Sequence, residues 1–255
     1  SYASFFTGKY PTQHGAVDWR ASVKDNRLVE QLNDRGYDTI GFSPHILPGE
    51  YGLAESFSQA ELISKPSDPP YSDDPAFDVI ESRSYNGRLG TARKYVDAIR
   101  LILGKPSPQT VLNKAHAIVR RWRQRLGWWT DSGARTIFKK SRSSIKNAER
   151  PFFLFTNFLE PHFPYKPPRE YVYTYLDNNH SIEKLNHMSY FELLDTVIGD
   201  LTISSERKKI LTALYDACIH YLDDQIHDFY QFLDREGYAD NTLIVVLADH
   251  GELLG

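Results

Sequence analysis

The chain has 255 residues, of which 41% are hydrophobic and 25% charged, and its formal net charge at pH 7 is −3. This composition predicts a folded globular chain with one large core, and gives no general case for a nucleic-acid or membrane partner. The longest apolar runs, such as 243–248, are far shorter than the roughly 20 residues that cross a bilayer. A single cysteine, Cys218, excludes an intrachain disulfide and leaves the cellular compartment open.

The first recognisable unit is a helix followed by a strand. Residues 25–35 predict a helix with one apolar face, formed by Leu28, Val29 and Leu32. Gly36 supplies the left-handed stop that commonly ends a helix. Residues 37–42 follow at once and predict a short strand.

The middle of the chain is basic. Residues 105–150 contain twelve Lys or Arg and two acidic residues, so this block carries +10 and the rest of the chain −13. Residues 111–126 and 134–147 predict helices, and the proline-rich stretch 64–75 predicts a loop. We interpret 64–148 as a helical insertion with a solvated face, within a single domain spanning 1–255. A nucleic-acid surface and a cationic wall that attracts an anionic substrate are the alternatives, and we expect no nucleic acid to bind.

The last third predicts strand, helix and strand. A nearly continuous apolar run at 151–158 is typical of a strand covered on both faces. A long helix begins after Ser204 or Ser205 and ends at Gly237, and 243–248 predicts a second fully apolar strand. The helix has one apolar stripe, formed by Leu211, Leu214, Cys218, Tyr221, Leu222, Ile226, Phe229 and Leu233. Together these elements indicate an α/β fold with a mostly parallel sheet covered by helices on both faces.

Reactive side chains follow both apolar strands. In parallel sheets, ligands gather at the carboxyl ends of the strands. Residues 249–252 read Asp-His-Gly-Glu, so Asp249 and His250 offer an oxygen donor and an imidazole, which is half of a divalent-metal site. The alternative is a turn in which Asp249 caps the following helix.

The other strand leads into a loop that contains His162. Pro161 and Pro164 restrict the backbone on both sides of this residue. A rigid imidazole at a strand end can bind an anionic oxygen or donate a proton to a leaving group. The alternative is a loop histidine without a ligand. We interpret His14 as structural and leave His45 open.

Taken in order, these motifs resemble the sulfatase family of the alkaline-phosphatase superfamily. Residues 1–11 are similar to the family's signature from its Ser onward, including the short helix that ends in Thr-Gly. Residues 28–42 resemble the helix-strand unit that follows, and 151–164 resemble the strand and Pro-His loop. Residues 215–255 resemble the helix, strand and Asp-His-Gly-Glu metal turn. The resemblance covers both ends of the chain and hardly touches 64–148.

The resemblance implies metal-dependent hydrolysis of sulfate esters, with a small or polymeric anionic ester as substrate. It implies a divalent ion, by the family's pattern calcium, with Asp249 and His250 as ligands and His162 as the contact to the substrate anion. In the family the ion activates a nucleophile at a helix N-terminus. By the resemblance, this nucleophile falls three residues before Ser1, and the paired acidic ligands lie on an earlier strand. We therefore expect a fragment truncated at both ends, with an unpaired strand edge or an exposed apolar cleft beside Val245.

Two departures from the family's pattern keep other functions open. Tyr2 stands in place of the signature arginine, and residues 43–45 (Ser-Pro-His) stand in place of a Lys-Trp-His loop, so Tyr2 and His45 are candidate substrate-binding residues. The missing cations favour a phosphodiester hydrolase or phosphoglycerol transferase on the same fold as one alternative, and a non-catalytic binding domain as another. For catalysis, Asp249, His250 and His162 must converge within roughly 10 Å near the helix that starts the chain.

Overall fold

The computed structural model describes residues 2–16, 26–44, 54–63, 131–149, 151–176 and 204–252, and the single positions 108, 112, 115 and 119. The chain divides into two compact units, Ser1–Pro66 with Trp129–Gly255, and Ser67–Trp128. The elements below all belong to the first unit. His45, the loop predicted at 64–75 and most of the helix predicted at 111–126 lie outside the described residues.

In the described part of the chain, three parallel strands form the sheet. β1 is Asp38–Ser43, β2 is Gln59–Leu62 and β3 is Phe152–Thr156, in the spatial order β2-β1-β3. Gly41 of β1 lies opposite Ala60 of β2 and Phe155 of β3. The predicted α/β fold with a parallel sheet is confirmed, and the three carboxyl ends meet at one edge of the sheet.

The described residues also form six α-helices. They are α1 Tyr2–Thr7, α2 Pro11–His14, α3 Arg27–Asp34, α4 Ala134–Asn147, α5 Arg169–Tyr175 and α6 Ser205–Arg235, and short 3₁₀ turns lie at Ala54–Ser56 and Ala239–Asn241. The Ser204 hydroxyl accepts a hydrogen bond from the Arg207 N–H at 3.3 Å, which caps α6 as predicted. Gly36 and Gly237 have φ of +79° and +77° just beyond α3 and α6, so both predicted glycine stops are confirmed.

Helices cover both faces of the sheet, as the apolar runs predicted. Phe153 and Phe155 of β3 point to one face, where they pack with Phe6 of α1. Phe152 and Leu154 point to the other face, because successive strand residues alternate. Fully buried residues of the second face include Phe42 of β1 and Ile137 of α4. Although α4 lies within the predicted insertion, it is therefore part of the core of the sheet.

The long helix α6 supports the loop that follows β3. Leu214 and Cys218 of α6 form a buried cluster with Phe163, Tyr165 and Val172. Further along the helix, Phe232 and Leu233 pack against Ile145 of α4. The loop that carries His162 is thus held between the sheet and a 31-residue helix.

Residues 243–248 do not form the predicted strand. A strand is defined by hydrogen bonds to a neighbour, and none of the described strands pairs with this segment. Its apolar side chains are open to solvent, with Leu243 90% and Val245 66% exposed. The segment starts near Tyr238, whose ring contacts Phe152 at the start of β3, and leads to His250, which lies beside the loop after β3. The structure thus shows exposed apolar side chains at Val245 and its neighbours, and the unpaired strand edge or apolar cleft expected beside Val245 stays a prediction.

Candidate active site at the carboxyl edge of the sheet

Two hydrogen bonds join the carboxyl ends of β1 and β3. The backbone N–H of Asn157 donates to the Phe42 carbonyl at 3.0 Å, and its side-chain amide donates to the Ser43 hydroxyl at 3.1 Å. Both Asn157 and Ser43 are buried. These hydrogen bonds therefore fix the position of Asn157, where the loop after β3 begins.

His162 lies in a turn of this loop and has one ring nitrogen engaged. Its backbone N–H donates to the Leu159 carbonyl at 3.1 Å, which closes the turn. Its Nδ1 lies 2.7 Å from the Phe163 carbonyl oxygen. Because a carbonyl oxygen only accepts, Nδ1 carries a proton, and in the neutral ring Nε2 holds the lone pair. Phe163 itself is buried against Tyr165, with ring centroids 5.6 Å apart.

The Asp-His turn presents a second oriented imidazole. Nδ1 of His250 lies 2.7 Å from the Gly251 carbonyl oxygen, so this nitrogen also donates and Nε2 is left as the acceptor. That Nε2 lies 3.7 Å from Oδ1 of Asp249. A backbone carbonyl that holds one ring N–H is the usual second partner of a metal-binding histidine.

The two histidines are brought together as predicted. The ring centroids of His162 and His250 lie 6.3 Å apart, and the rings are nearly perpendicular at 81°. Because Asp249 neighbours His250, the three residues expected to converge do so at this edge.

Tyr2, at the start of α1, joins the same cluster. Its ring contacts Phe155 of β3 edge-on at 6.0 Å. Burial raises the pKa of the Tyr2 phenol well above its usual range, and the negative charge of Asp249 raises it further. The phenol therefore stays neutral and keeps its proton as a hydrogen-bond donor. Of the five candidate site residues, four lie at this edge, and His45 lies outside the described residues.

A tyrosine and a glutamate that carried no predicted role join the two loops. Burial raises the pKa of the Tyr165 phenol, and the nearby Glu252 carboxylate raises it further. Glu252 ends the Asp-His-Gly-Glu motif, so its place in that motif was the signal that the sequence offered.

Asp249 and His250 fit part of the coordination shell of a divalent ion. Two donors that bind one ion at about 2.0–2.6 Å lie roughly 2.8–3.7 Å apart when they are at right angles. The Asp249–His250 distance of 3.7 Å lies at the upper end of this range. Within the described ranges, no group of three His, Cys, Asp or Glu side chains gathers as a metal site. The described residues therefore offer two donors whose spacing fits such a shell.

His14 has a structural role, as its sequence context predicted. The Ala16 backbone N–H donates to its Nδ1 at 3.0 Å, so the proton of the neutral ring is on Nε2. This Nε2 lies 3.1 Å from the Ser4 hydroxyl of α1. His14 thus ties α2 to α1.

Part of the basic block is engaged inside the first unit. Lys140 and Lys146 of α4 form ion pairs with Glu61 at 2.9 Å and Glu236 at 2.7 Å. Arg142 lies over the ring of Phe232, 5.7 Å from its centroid. In the part of the chain that the structure describes, no helix combines the length and apolar character of a membrane span.

Comparison with known proteins finds sulfatases among the relatives of this chain. The choline-sulfatase of Rhizobium meliloti is 27% identical over 127 residues, which are 47% of this chain and 25% of that protein. The arylsulfatase of Clostridium perfringens is 28% identical over 115 residues (43% and 24%), and a sulfatase of Formosa agariphila is 31% identical over 125 residues (43% and 24%). The chain thus spans about a quarter of the length of these relatives. A sequence model of the sulfatase family matches residues 1–255, and this chain therefore belongs to the sulfatase family.

Proposed function

We propose that this site takes part in metal-dependent hydrolysis of sulfate esters, with calcium as the metal and a small or polymeric anionic ester as the substrate. The observation that carries the proposal is the meeting of His162 with the Asp249-His250 pair at the carboxyl edge of a parallel sheet. The names of the relatives, among them a choline-sulfatase and an arylsulfatase, support sulfate esters as the substrate class.

In this proposal Asp249 and His250 hold the metal. The carboxylate of Asp249 contributes a negative charge, and its side chain is only 28% exposed, so this charge is partly shielded from water. His250 contributes Nε2, since Gly251 holds Nδ1. When bound, a divalent ion polarises the ester and stabilises the charge that develops on its oxygens.

His162 contacts the substrate anion. With Nδ1 held by the Phe163 carbonyl, Nε2 is the nitrogen that can reach a ligand. In the protonated ring this Nε2–H donates a charge-assisted hydrogen bond to a sulfate oxygen, or passes its proton to the leaving oxygen. Its ring centroid lies 6.3 Å from that of His250, so an ester oxygen bound near the metal ligands is within reach of His162.

Tyr2 gives a specific reason to keep phosphodiester hydrolysis or phosphoglycerol transfer as the second candidate. The neutral phenol can donate a hydrogen bond to an ester oxygen, but it adds no positive charge to the site. A sulfate monoester and a phosphodiester both carry one negative charge at neutral pH. Net charge at this position therefore does not separate the two substrates, and the choice depends on the other contacts to the ester.

The test is to measure hydrolysis of an aryl sulfate and a bis-aryl phosphate by the full-length protein, with calcium, with other divalent ions and with a chelator. We expect aryl sulfate turnover that the chelator abolishes and calcium restores. His162→Ala should lower kcat by roughly a hundredfold, the usual size of an acid–base or anion contact. His227→Ala, a change of an exposed histidine on α6, is the matched control and should keep full activity.

Each outcome decides between the candidates. Full activity in the chelator would overturn the metal-dependent mechanism. A strong preference for the phosphate diester would replace the first candidate by the second. Hydrolysis of neither ester, by a protein that binds the metal, would contradict both.

A further inference from the structure

Glu160 is a buried carboxylate in the turn that carries His162. Only 5% of the residue is exposed. Its Oε1 accepts hydrogen bonds from the backbone N–H groups of Ser132 at 3.1 Å and Ala134 at 2.9 Å. Its Oε2 is buried and has no hydrogen-bond partner among the described residues. Burying a carboxyl group costs free energy even when it is hydrogen-bonded, which indicates a role beyond packing.

The two N–H groups belong to the start of α4. Helices leave their first N–H groups without partners inside the helix, and Gly133 at the N-cap position has no side chain to accept them. Asp131 serves the same helix start, since its Oδ2 accepts from the Arg135 N–H at 2.9 Å and from the Tyr221 hydroxyl at 2.8 Å. Asp131 is close to α4 in the sequence, whereas Glu160 belongs to the loop after β3 and contacts the helix start from a distant part of the chain.

The position of His162 depends on that of Glu160, because both lie in the same hydrogen-bonded turn. The hydrogen bond from the His162 N–H to the Leu159 carbonyl closes a turn that has Glu160 and Pro161 inside it. The support on the other side is rigid, because Ile137 of α4 is fully buried against the sheet. A displacement of Glu160 from α4 therefore displaces the backbone of His162.

We propose that Glu160 is a positioning residue that pins the 159–162 turn to the start of α4 and so keeps the His162 imidazole opposite His250. This assignment rests on the proposed function, in which His162 contacts the ester. It identifies a residue that touches neither metal nor substrate but fixes the geometry between them. Both protonation states of a carboxyl group can accept two N–H bonds through one oxygen, and a glutamine amide oxygen can do the same.

The experiment compares Glu160→Ala with Glu160→Gln in the full-length protein. The readouts are the imidazole resonances of His162 and His250 in histidine-labelled protein, together with kcat and KM for the aryl sulfate. We expect the alanine variant to shift and broaden the His162 signals and to lower kcat by between about tenfold and a hundredfold, as for other misplaced catalytic groups. Glutamine should restore both.

Asp131→Ala is the matched control. It removes the other acceptor at the start of α4 without touching the turn, so it should lower the melting temperature but leave the His162 signals in place. Should the alanine variant at 160 fail to fold, Glu160→Asp replaces it, since the shorter side chain cannot reach both N–H groups.

Three results would overturn the assignment. They are unchanged His162 signals in Glu160→Ala, equal changes in Asp131→Ala, and a glutamine variant that behaves like alanine. The resonances report on positioning even if the wild-type protein hydrolyses neither ester. Failure of the proposed function is therefore distinguishable from failure of this assignment.

Discussion

The imidazole rings of His162 and His250 lie 6.3 Å apart, although they follow two different apolar segments of the chain. Each ring donates its Nδ1–H to the carbonyl of the next residue, at 2.7 Å in both cases. The two rings are therefore oriented by the same local device and leave Nε2 for a ligand. A site with one imidazole beside a carboxylate and a second one across from it suits an ester held between a metal and a hydrogen-bond donor.

Asp249→Asn should weaken metal binding while preserving the fold. The amide keeps one oxygen donor and the shape of the side chain but removes the negative charge that attracts the cation. We expect calcium affinity to fall by at least about tenfold, since changes even beyond the direct ligands cost 10- to 100-fold. Titration calorimetry and metal analysis of the purified variant measure this directly.

Asp228→Asn is the control for this change, because Asp228 is an exposed aspartate of α6 and has no place in the site. It should bind calcium as the wild type does. Equal metal content and equal affinity in wild type and Asp249→Asn would remove Asp249 from the proposed coordination shell.

Substitutions at Tyr2 should shift the preference between sulfate and phosphate esters. Tyr2→Phe keeps the ring contact with Phe155 but removes the donor, so we expect kcat/KM for both esters to fall by roughly tenfold. Tyr2→Arg adds a forked hydrogen-bond donor beside Asp249. Because a sulfate monoester has three terminal oxygens and a phosphodiester has two, this change should improve aryl sulfate turnover relative to the bis-aryl phosphate. Tyr230, exposed on α6, supplies the control Tyr230→Phe. An unchanged ratio of the two rates in Tyr2→Arg would show that this position does not discriminate.

Local signals made much of the fold predictable. The ends of α6 could be predicted from the capping residue Ser204 and from Gly237. The apolar stripe of α3 and the glycine that follows it likewise predicted α3 and the start of β1. β2 was missed because Gln59–Leu62 has no apolar run, and its edge position leaves Leu62 half exposed. Its pairing with β1 is decided by the tertiary structure rather than by propensity.

The errors and omissions concern interactions between distant parts of the chain. The apolar pattern at 243–248 predicted a strand, and this prediction was wrong. A strand also requires a hydrogen-bonded partner, and no described strand provides one. The proximity of Asp249, His250 and His162 could be predicted from sequence, because residues that follow apolar, sheet-like segments tend to gather at one edge of a parallel sheet. Glu160 could not, because its partners at 132 and 134 are brought to it by the fold.

Side-chain substitutions in the apolar segment 243–248 and in the core of the sheet should change the free energy of unfolding by different amounts. Val246 is 68% exposed, so Val246→Ser should change the free energy of unfolding by no more than about 0.5 kcal/mol. Ile137 is fully buried between α4 and the sheet, so Ile137→Ala should cost about 2–5 kcal/mol. Urea denaturation of both variants tests this, and a loss above about 1 kcal/mol for Val246→Ser would mean that this segment is packed in solution.

Glu160 should make stability depend on pH between the acidic and neutral ranges. Burial raises the pKa of its carboxyl group from 4.5 to about 7, and the charge of Asp131 raises it too, while hydrogen bonds from backbone N–H groups oppose the shift. Between these two values the folded protein binds the proton and the unfolded chain has released it. The contribution of Glu160 is therefore fully present below about pH 4.5 and is lost as the pH rises to about 7.

The measurement is the free energy of unfolding of wild type and Glu160→Gln from pH 4.5 to 8. Glutamine cannot titrate, so the difference between the two proteins isolates the proton of Glu160 from all other groups. We expect the wild type to lose stability relative to the variant as the pH rises toward 7, and the difference to level off above it. A difference that stays constant across this range, or that changes in favour of the wild type, would mean that Glu160 is charged in the folded protein and that both its oxygens are stabilised by donors.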